Sequence, residues 1–586
     1  MPISAWESRA ATKRASILSA IPPAWRIPTD QIPSSEECPK VTGFARQYLS
    51  EEELIITETP PMDTLVHIQA GIWSAEGVVR AYCHRAAIAH QLVNCLTDAF
   101  FDVAINTAMQ LDQYRRDTGA LKGPLHGLPV SFMDRFRIAG RETAAGYVAW
   151  LGRVENDATE SLIVRHMRSL GAVPFCKTAT PQSMMLAETT NNIHGSTHNP
   201  HNRLLSSGGA AGGEGALLAM RGSPLGWGTE FAGSTRIPAV FNSLYSLKVS
   251  CGRLPMRGVA NVRTSLPSRN STIAMISWDF ALLQHIAKLS LGISNREEDP
   301  AWIDMPWRQS KIRDLSMRRP VYAVLEFDGH VQPQPPVHRA LRSVIQCLRG
   351  AGYQVIDWNP PAHAVAVETY FKIIGADGAQ STREQIKASG EPPVPRLKDW
   401  YYGQAPQPLP LPDYLALLES QEEFQTEYQT YWKSTSNLTV SKLPVDGVIM
   451  PVCANAACLE NTLSYFGQSQ RLGVSVRILI TISGYSAIVN LLDFTAVTFP
   501  VGLIDKDMDP KLGSLFAPVS REDEATHQSY DPKTFHGAPV GLQLMCRKTE
   551  EETALKLVEM ILQAQAQTST ISGGRDPAII PRTTPA

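Results

Sequence analysis

Between Ser74 and Asn94, apolar side chains return at Val78, Tyr82 and Ala86. That spacing puts one stripe on a single helix face. Ser74 stands where an N-cap hydroxyl belongs. The same texture predicts a helix from Asp98 to Arg116, ending near Gly119, and another from Thr159 to Leu170, closed by Gly171. Elsewhere the apolar runs are short. Leu128–Phe132, Val173–Cys176, Val321–Phe327, Tyr353–Asp357, Val445–Met450, Ala496–Val501 and Val540–Met545 read as strands. Strands separated by helices predict an α/β fold, with a large, mostly buried, mixed or parallel sheet sandwiched by helices. Pro22, Pro23, Pro28 and Pro33 break any long helix near the start. The proline-rich stretch from Glu391 to Leu411 predicts a surface connection. No internal repeat or sharp compositional break divides the chain. The organisation expected is an N-terminal extension over residues 1–60, packing on one large domain over residues 61–586.

Composition narrows the class. At 586 residues and 43% hydrophobic content the chain is long enough for a sizeable core. A formal net charge of -2 excludes the strongly basic balance of a nucleic-acid binder. No run of 18 apolar residues predicts a membrane span, and the N-terminus lacks the apolar core of a secretory signal. The expectation is a soluble, cytoplasmic protein. Nine cysteines, an odd number scattered from Cys38 to Cys546 without a CxxC, argue against a disulfide framework or a zinc cluster. Neither a metal nor a cofactor is expected. Cys176 and Cys251 are expected to be buried rather than reactive.

The segment Ser206–Arg236 reads SSGGAAGGEGALLAMRGSPLGWGTEFAGSTR. Glycine at this density implies unusual backbone or close approach. The run lacks the GxxxxGK[ST] and strand-GxGxxG-helix patterns that cradle phosphate. Leu217, Leu218, Met220, Leu225 and Trp227 interrupt it and want burial, which argues against a flexible linker. A buried turn that presents backbone N–H groups fits best. Such groups stabilise an oxyanion during acyl transfer, and Ser234 is then a candidate nucleophile.

These residues resemble the amidase signature. Gly208–Leu217, Ser223–Phe241 and Gly252–Arg253 match its three parts. Gly123–Asp134 is similar to the family's strand ending in Lys-Asp, and Lys177-Thr178 with Pro181-Gln182-Ser183-Met184 to its KTxxPQ segment. Asn191, Gly195, Asn199-Pro200, Tyr530-Asp531-Pro532 and HGAPVGLQL at His536–Leu544 also fit. The stretches AAIAHQLVNCLTDAFFDVA and Met305–Ser310 resemble fungal general acetamidases in particular. The resemblance implies a mixed sheet of roughly a dozen strands and metal-free amide hydrolysis through a Ser–Ser–Lys relay. In that relay a lysine is the base, a serine on a cis peptide bond passes the proton, and a second serine attacks. It also allows a homodimer and a small-molecule ligand.

Carried over by position, the nucleophile falls on Ser234 and the oxyanion-binding backbone on Phe231, Ala232, Gly233 and Ser234, with Met184 at the substrate. Ala232 stands in place of a glycine and Glu230 in place of an aspartate. The relay serine falls on Ala210 and the base lysine on Met133, neither of which can move a proton. Among possible substitutes, His126 reads as structural, Asp134 should point to the other strand face, and His194, outside the family's pattern, is a candidate to reach the pocket. Lys177 belongs to the structural KT pair.

Two readings follow. One is a carbon–nitrogen hydrolase-type protein acting on a small amide, ester or acyl compound, with altered or impaired chemistry and, by analogy with fungal relatives, a place in specialised metabolism. The other is a pseudo-amidase that binds a small molecule or a protein. A third, an intact relay placed elsewhere, conflicts with the signature spacing. Gln468–Gly484 reads as an insertion or an unspliced intron.

Overall fold

The computed structural model describes residues 4–262, 271–293, 298–398, 401, 407–460, 484–513 and 516–571. The possible insertion therefore lies outside the described residues, apart from Gly484.

Its strands are β1 (Leu96–Ala99), β2 (Pro129–Met133), β3 (Val173–Thr178), β4 (Thr190–Asn191), β5 (Gly195–Ser196), β6 (His198–Asn199), β7 (Asn202–Ser206), β8 (Leu225–Glu230), β9 (Tyr245–Lys248), β10 (Thr272–Ser277), β11 (Val321–Val324), β12 (Gln354–Asp357), β13 (Gly447–Met450), β14 (Thr495–Leu503) and β15 (Pro539–Cys546). Eleven of them form one sheet in the order β1-β3-β2-β8-β10-β9-β14-β15-β13-β11-β12. Pairs β3–β2 and β2–β8 are parallel, as are β13–β11 and β11–β12, and the remaining ladders are antiparallel. The sheet is thus mixed, in an α/β fold. Every residue of β1, β2, β3, β8, β9, β10, β11, β13 and β15 is buried, so the sheet is covered on both faces. The edge strand β12 and the end of β14 are partly open.

The helices that matter to the site are α1 (Ala5–Ala20), α2 (Glu51–Glu58), α3 (Pro61–Ala70), α4 (Ala75–Val93), α5 (Phe101–Thr118), α6 (Leu162–Ser169), α7 (Gly212–Ala219) and α8 (Arg236–Phe241). Ser74 caps α4 by accepting the Gly77 N–H, and Asn94 closes it with a left-handed φ of 56°. The next helix begins later than the pattern predicts. Leu96–Ala99 pairs antiparallel with β3, so Asp98 lies in a strand rather than at a helix start. There its buried carboxylate takes Arg141 at 2.7 Å and Lys13 at 3.3 Å. Tertiary pairing overrides helical periodicity at this point.

The start of the proline-rich stretch departs from a surface connection. Glu391, Pro393, Val394 and Leu397 are buried. Glu391 accepts N–H bonds from Val148, Gln182 and Asn192. Val394 and Leu397 pack in one apolar cluster with Tyr147, Met184 and Leu186.

Candidate functional site

The parallel strands β2 and β8 end side by side, at Met133 and Glu230. Loops leaving such strand ends form the crevice in which α/β folds collect functional groups. From β8 the chain turns through Phe231–Thr235 into α8, and the glycine turn before α7 lies against it. The Ala211 N–H donates to Ser234 O at 2.9 Å, joining the two loops. Phe132 pairs with Trp227 across the β2–β8 ladder, one residue before Met133 and Gly228. A side chain at Gly228 would meet Thr235 and lie 3.5 Å from the Ala211 methyl. Met133, Ala210 and Ser234 are therefore drawn into one neighbourhood by the fold. The Gly209–Ala210 peptide bond is cis, and the Ala210 methyl is buried in the main core with Met133.

The glycines are there for close approach. A Cβ on Gly209 would stand 2.5 Å from the Leu186 carbonyl oxygen. Gly233 has φ +113°, and a Cβ there would collide with Ser486 Oγ. No ordinary side chain fits either position.

Glu230 organises the turn. Its carboxylate, fully buried, accepts the N–H and the hydroxyl of Thr235, both at 2.6 Å, and the N–H of Gly233. Burial raises its pKa, but Arg236 and these donors outweigh burial and hold the carboxyl below its ordinary range. Arg236 in turn donates to Gln543 Oε1 at 2.6 Å, Asn490 Oδ1 at 2.6 Å and Ser486 O at 2.9 Å. Two carbonyls of the turn are also tied down. Tyr370 donates to Phe231 O and Ser486 to Ala232 O, each at 2.7 Å. The N–H groups of Phe231, Ala232 and Ser234 have no acceptor among the described residues. Of the four expected oxyanion donors, three are open, and Gly233 is committed to Glu230. The Ala232 methyl packs into an apolar cluster with Tyr370 and Tyr485.

Ser234 is 9% exposed, and no described residue makes a hydrogen bond to its Oγ. Met133 is fully buried, and its Sδ receives only the Thr229 hydroxyl, at 3.7 Å. Met184 follows Ser183 through two left-handed residues, with φ of 77° and 59°. Non-glycine residues adopt that region sparingly. Its side chain packs with Ala145, Tyr147, Leu186 and Ala260.

The substitute groups lie elsewhere. Asp134 points away from Met133 and pairs with Lys177 at 2.7 Å, both fully buried. Its second oxygen accepts the Ala145 N–H at 2.9 Å. His126 Nδ1 accepts the Lys122 N–H in the turn before β2, at the strand end remote from Met133. His194 does not reach the pocket. It is held by Asn191 and Asn94, and faces His90, Lys13 and Arg14. Cys176 is buried as expected, whereas Cys251 is only half-buried; loss of solvent raises both thiols, so neither is a thiolate.

Sequence reasoning missed Arg135. It is 6% exposed and donates from Nη1 to Thr229 Oγ1 at 2.7 Å and from Nε to Ala260 O at 3.0 Å. The signal was present: a cation stands two residues after the position where the lysine is missing.

A family description, Amidase, matches residues 77–555. The chain is 36% identical to a protein named Acetamidase from Aspergillus oryzae, over 96% of this chain and 99% of the relative. It is likewise 36% identical to an Acetamidase from Emericella nidulans, over 95% and 97%. Among solved structures it is similar to fatty acid amide hydrolase, with a TM-score of 0.84, 27% identity, and coverage of 96% of this chain and 95% of that one.

Proposed function

The chain belongs to the amidase family, and on that premise we propose that it binds a small amide, ester or acyl compound at Ser234 and hydrolyses it far more slowly than a complete relay would. One observation carries this reading. Ser234 Oγ has no hydrogen-bond partner among the described residues, while methionine and alanine occupy the positions of base and relay. A serine hydroxyl is a weak nucleophile until its proton is removed. Loss of the activating group in a serine relay costs on the order of 10⁴ to 10⁶ in kcat, leaving about 10³ to 10⁴ over water from binding and the oxyanion hole. Three open amides at 231, 232 and 234 supply that residual term.

The second reading, a pseudo-amidase that only binds, draws support from the tight burial of Met133 and Ala210. Labelling with a fluorophosphonate separates the two. Slow labelling that disappears in Ser234→Ala supports residual chemistry. No labelling and no turnover of small amides and esters by the natural protein would sink the hydrolase reading. Restoration of both by Met133→Lys with Ala210→Ser would then identify the missing relay as the cause.

A further inference from the structure

Arg135 presents a charge without a counter-charge. A guanidinium carries five N–H groups. Two are used, by Thr229 Oγ1 and Ala260 O, and the other three have no acceptor among the described residues. No described carboxylate forms an ion pair with it. The other buried arginines are compensated: Arg85 pairs with Glu58 at 2.7 Å, Arg236 with Glu230 at 3.2 Å and Arg253 with Glu551 at 3.3 Å, while Arg203, which has no carboxylate, donates to the carbonyls of Pro33, Ser34 and Cys38. Burial pushes the Arg135 pKa down to about 10, the nearby Tyr147 phenol opposing it, so the group stays charged at neutral pH. A buried charge of this kind is retained only where something else compensates it.

Its place in the fold says what that is. Thr229 links Arg135 to Met133, through contacts of 2.7 and 3.7 Å. The cation therefore stands one hydroxyl away from the position of the missing base. Ala260, which holds the guanidinium by its carbonyl, belongs to the apolar cluster of Tyr147, Met184 and Leu186. Thr229 thus joins the positive fork to the strand end that leads into the Ser234 turn, and the Ala260 carbonyl joins it to this apolar cluster. We infer that Arg135 is an anion-recognition group, and that the ligand of this site carries a carboxylate which two of the free N–H groups grip side by side. Bidentate Arg–carboxylate geometry supplies both strength and orientation. The inference deepens the reading that the Ser234 crevice takes a small acyl compound. It narrows that compound to one bearing an acid group, such as the half-amide of a dicarboxylic acid.

Calorimetric titration of the Ser234→Ala protein tests this without any dependence on turnover. Succinamate and the longer adipamate are compared with their neutral diamides. The expected result is that at least one anion binds on the order of ten- to a hundred-fold more tightly than its diamide. Arg135→Gln should erase the preference, and Arg135→Lys, which keeps charge but loses the planar fork, should retain part of it. Equal affinity for anion and diamide at both lengths overturns the proposal, as does a preference that survives Arg135→Gln. If Arg135→Gln does not fold, an undiminished preference in Arg135→Lys overturns the bidentate assignment. Failure of fluorophosphonate labelling would count against hydrolysis and leave this result standing, so the two ideas fail separately.

Discussion

At the scale of single residues, the group that meets the Thr229 hydroxyl is a fixed charge, Arg135, and not a proton carrier. Lysine can be pushed down in pKa until it accepts a proton, whereas guanidinium stays protonated. A lysine placed at 133 would set an ammonium against the Thr229 hydroxyl that Arg135 already uses. Two like charges facing one buried hydroxyl disfavour each other. Met133→Lys is therefore expected to destabilise the fold by about 2–4 kcal/mol. Arg135→Gln in the same chain should recover at least about 1 kcal/mol of that loss, a coupling that a double-mutant cycle in urea reads directly. Additive effects would show that the two side chains do not sense each other. A second expectation concerns the Asp134–Lys177 pair. Burial raises the Asp134 pKa while Lys177 at 2.7 Å pulls it down. Lys177→Met would strand a buried carboxylate and is expected to cost about 3–5 kcal/mol. Asp134→Asn added to it should return much of that stability, because no charge is then left unpaired.

At the scale of elements, α7 carries a further consequence. Glu214 lies in its first turn, packed against β2 and β3, and receives the hydroxyls of Ser131 at 2.6 Å and Thr178 at 2.9 Å. No cation faces it. Burial outweighs these donors and lifts its pKa from 4.5 to about 8. A carboxyl whose folded pKa is raised contributes its full stability below the unfolded pKa and loses it as pH climbs to the folded one. The loss thus runs from about pH 4.5 to about pH 8 and amounts to at most about 5 kcal/mol. Glu214→Gln, which cannot ionise, is expected to flatten the fall in unfolding midpoint across that window. A variant with the same pH profile as the natural protein would show Glu214 to be uninvolved. The elements also show what the chain reveals in advance. Helix α4 was legible because its caps and its stripe are local signals. Strand β8 was not, because LGWGTE carries glycines where α7 and α8 press against it, and a strand is not recognised by the side chains it lacks. Strand β1 hid behind a helical pattern, since its partner β3 lies some 80 residues away in sequence (Ala99 against Cys176). At the site, Ser234, Met133 and Ala210 could be placed from motif spacing. The capture of the Gly233 N–H by Glu230 and the unpaired state of Arg135 depend on contacts between segments, which spacing does not encode.

At the scale of the whole molecule, the sheet has two edges, β1 and β12, and α1 covers the first of them. Edge strands present unpaired backbone groups and invite association unless covered. Strand β1 is such an edge, yet all four of its residues are buried. Helix α1 packs on it and is anchored by contacts of opposite chemistry. Ile17 and Ile21 enter the main core. Lys13 bridges Asp98 at 3.3 Å and Glu142 at 3.2 Å, and Arg14 donates to Ile193 O at 2.7 Å. Removal of residues 1–21 would take away Ile17 and Ile21, each worth about 2 kcal/mol of burial by area, uncover the apolar surface they pack on, and leave Asp98 with Arg141 alone at its carboxylate. The effect should not stay at the edge. Thr178 of β3 pairs with Leu96 on one side and Met133 on the other, so a single residue separates the edge from the site. The truncated chain is expected to unfold at lower urea, to scatter light on warming, and to show faster amide exchange in β3 and at Met133 than in β13 and β15 at the far side of the sheet. Exchange that rises equally on both sides would mean that α1 stabilises the molecule as a whole rather than guarding this edge.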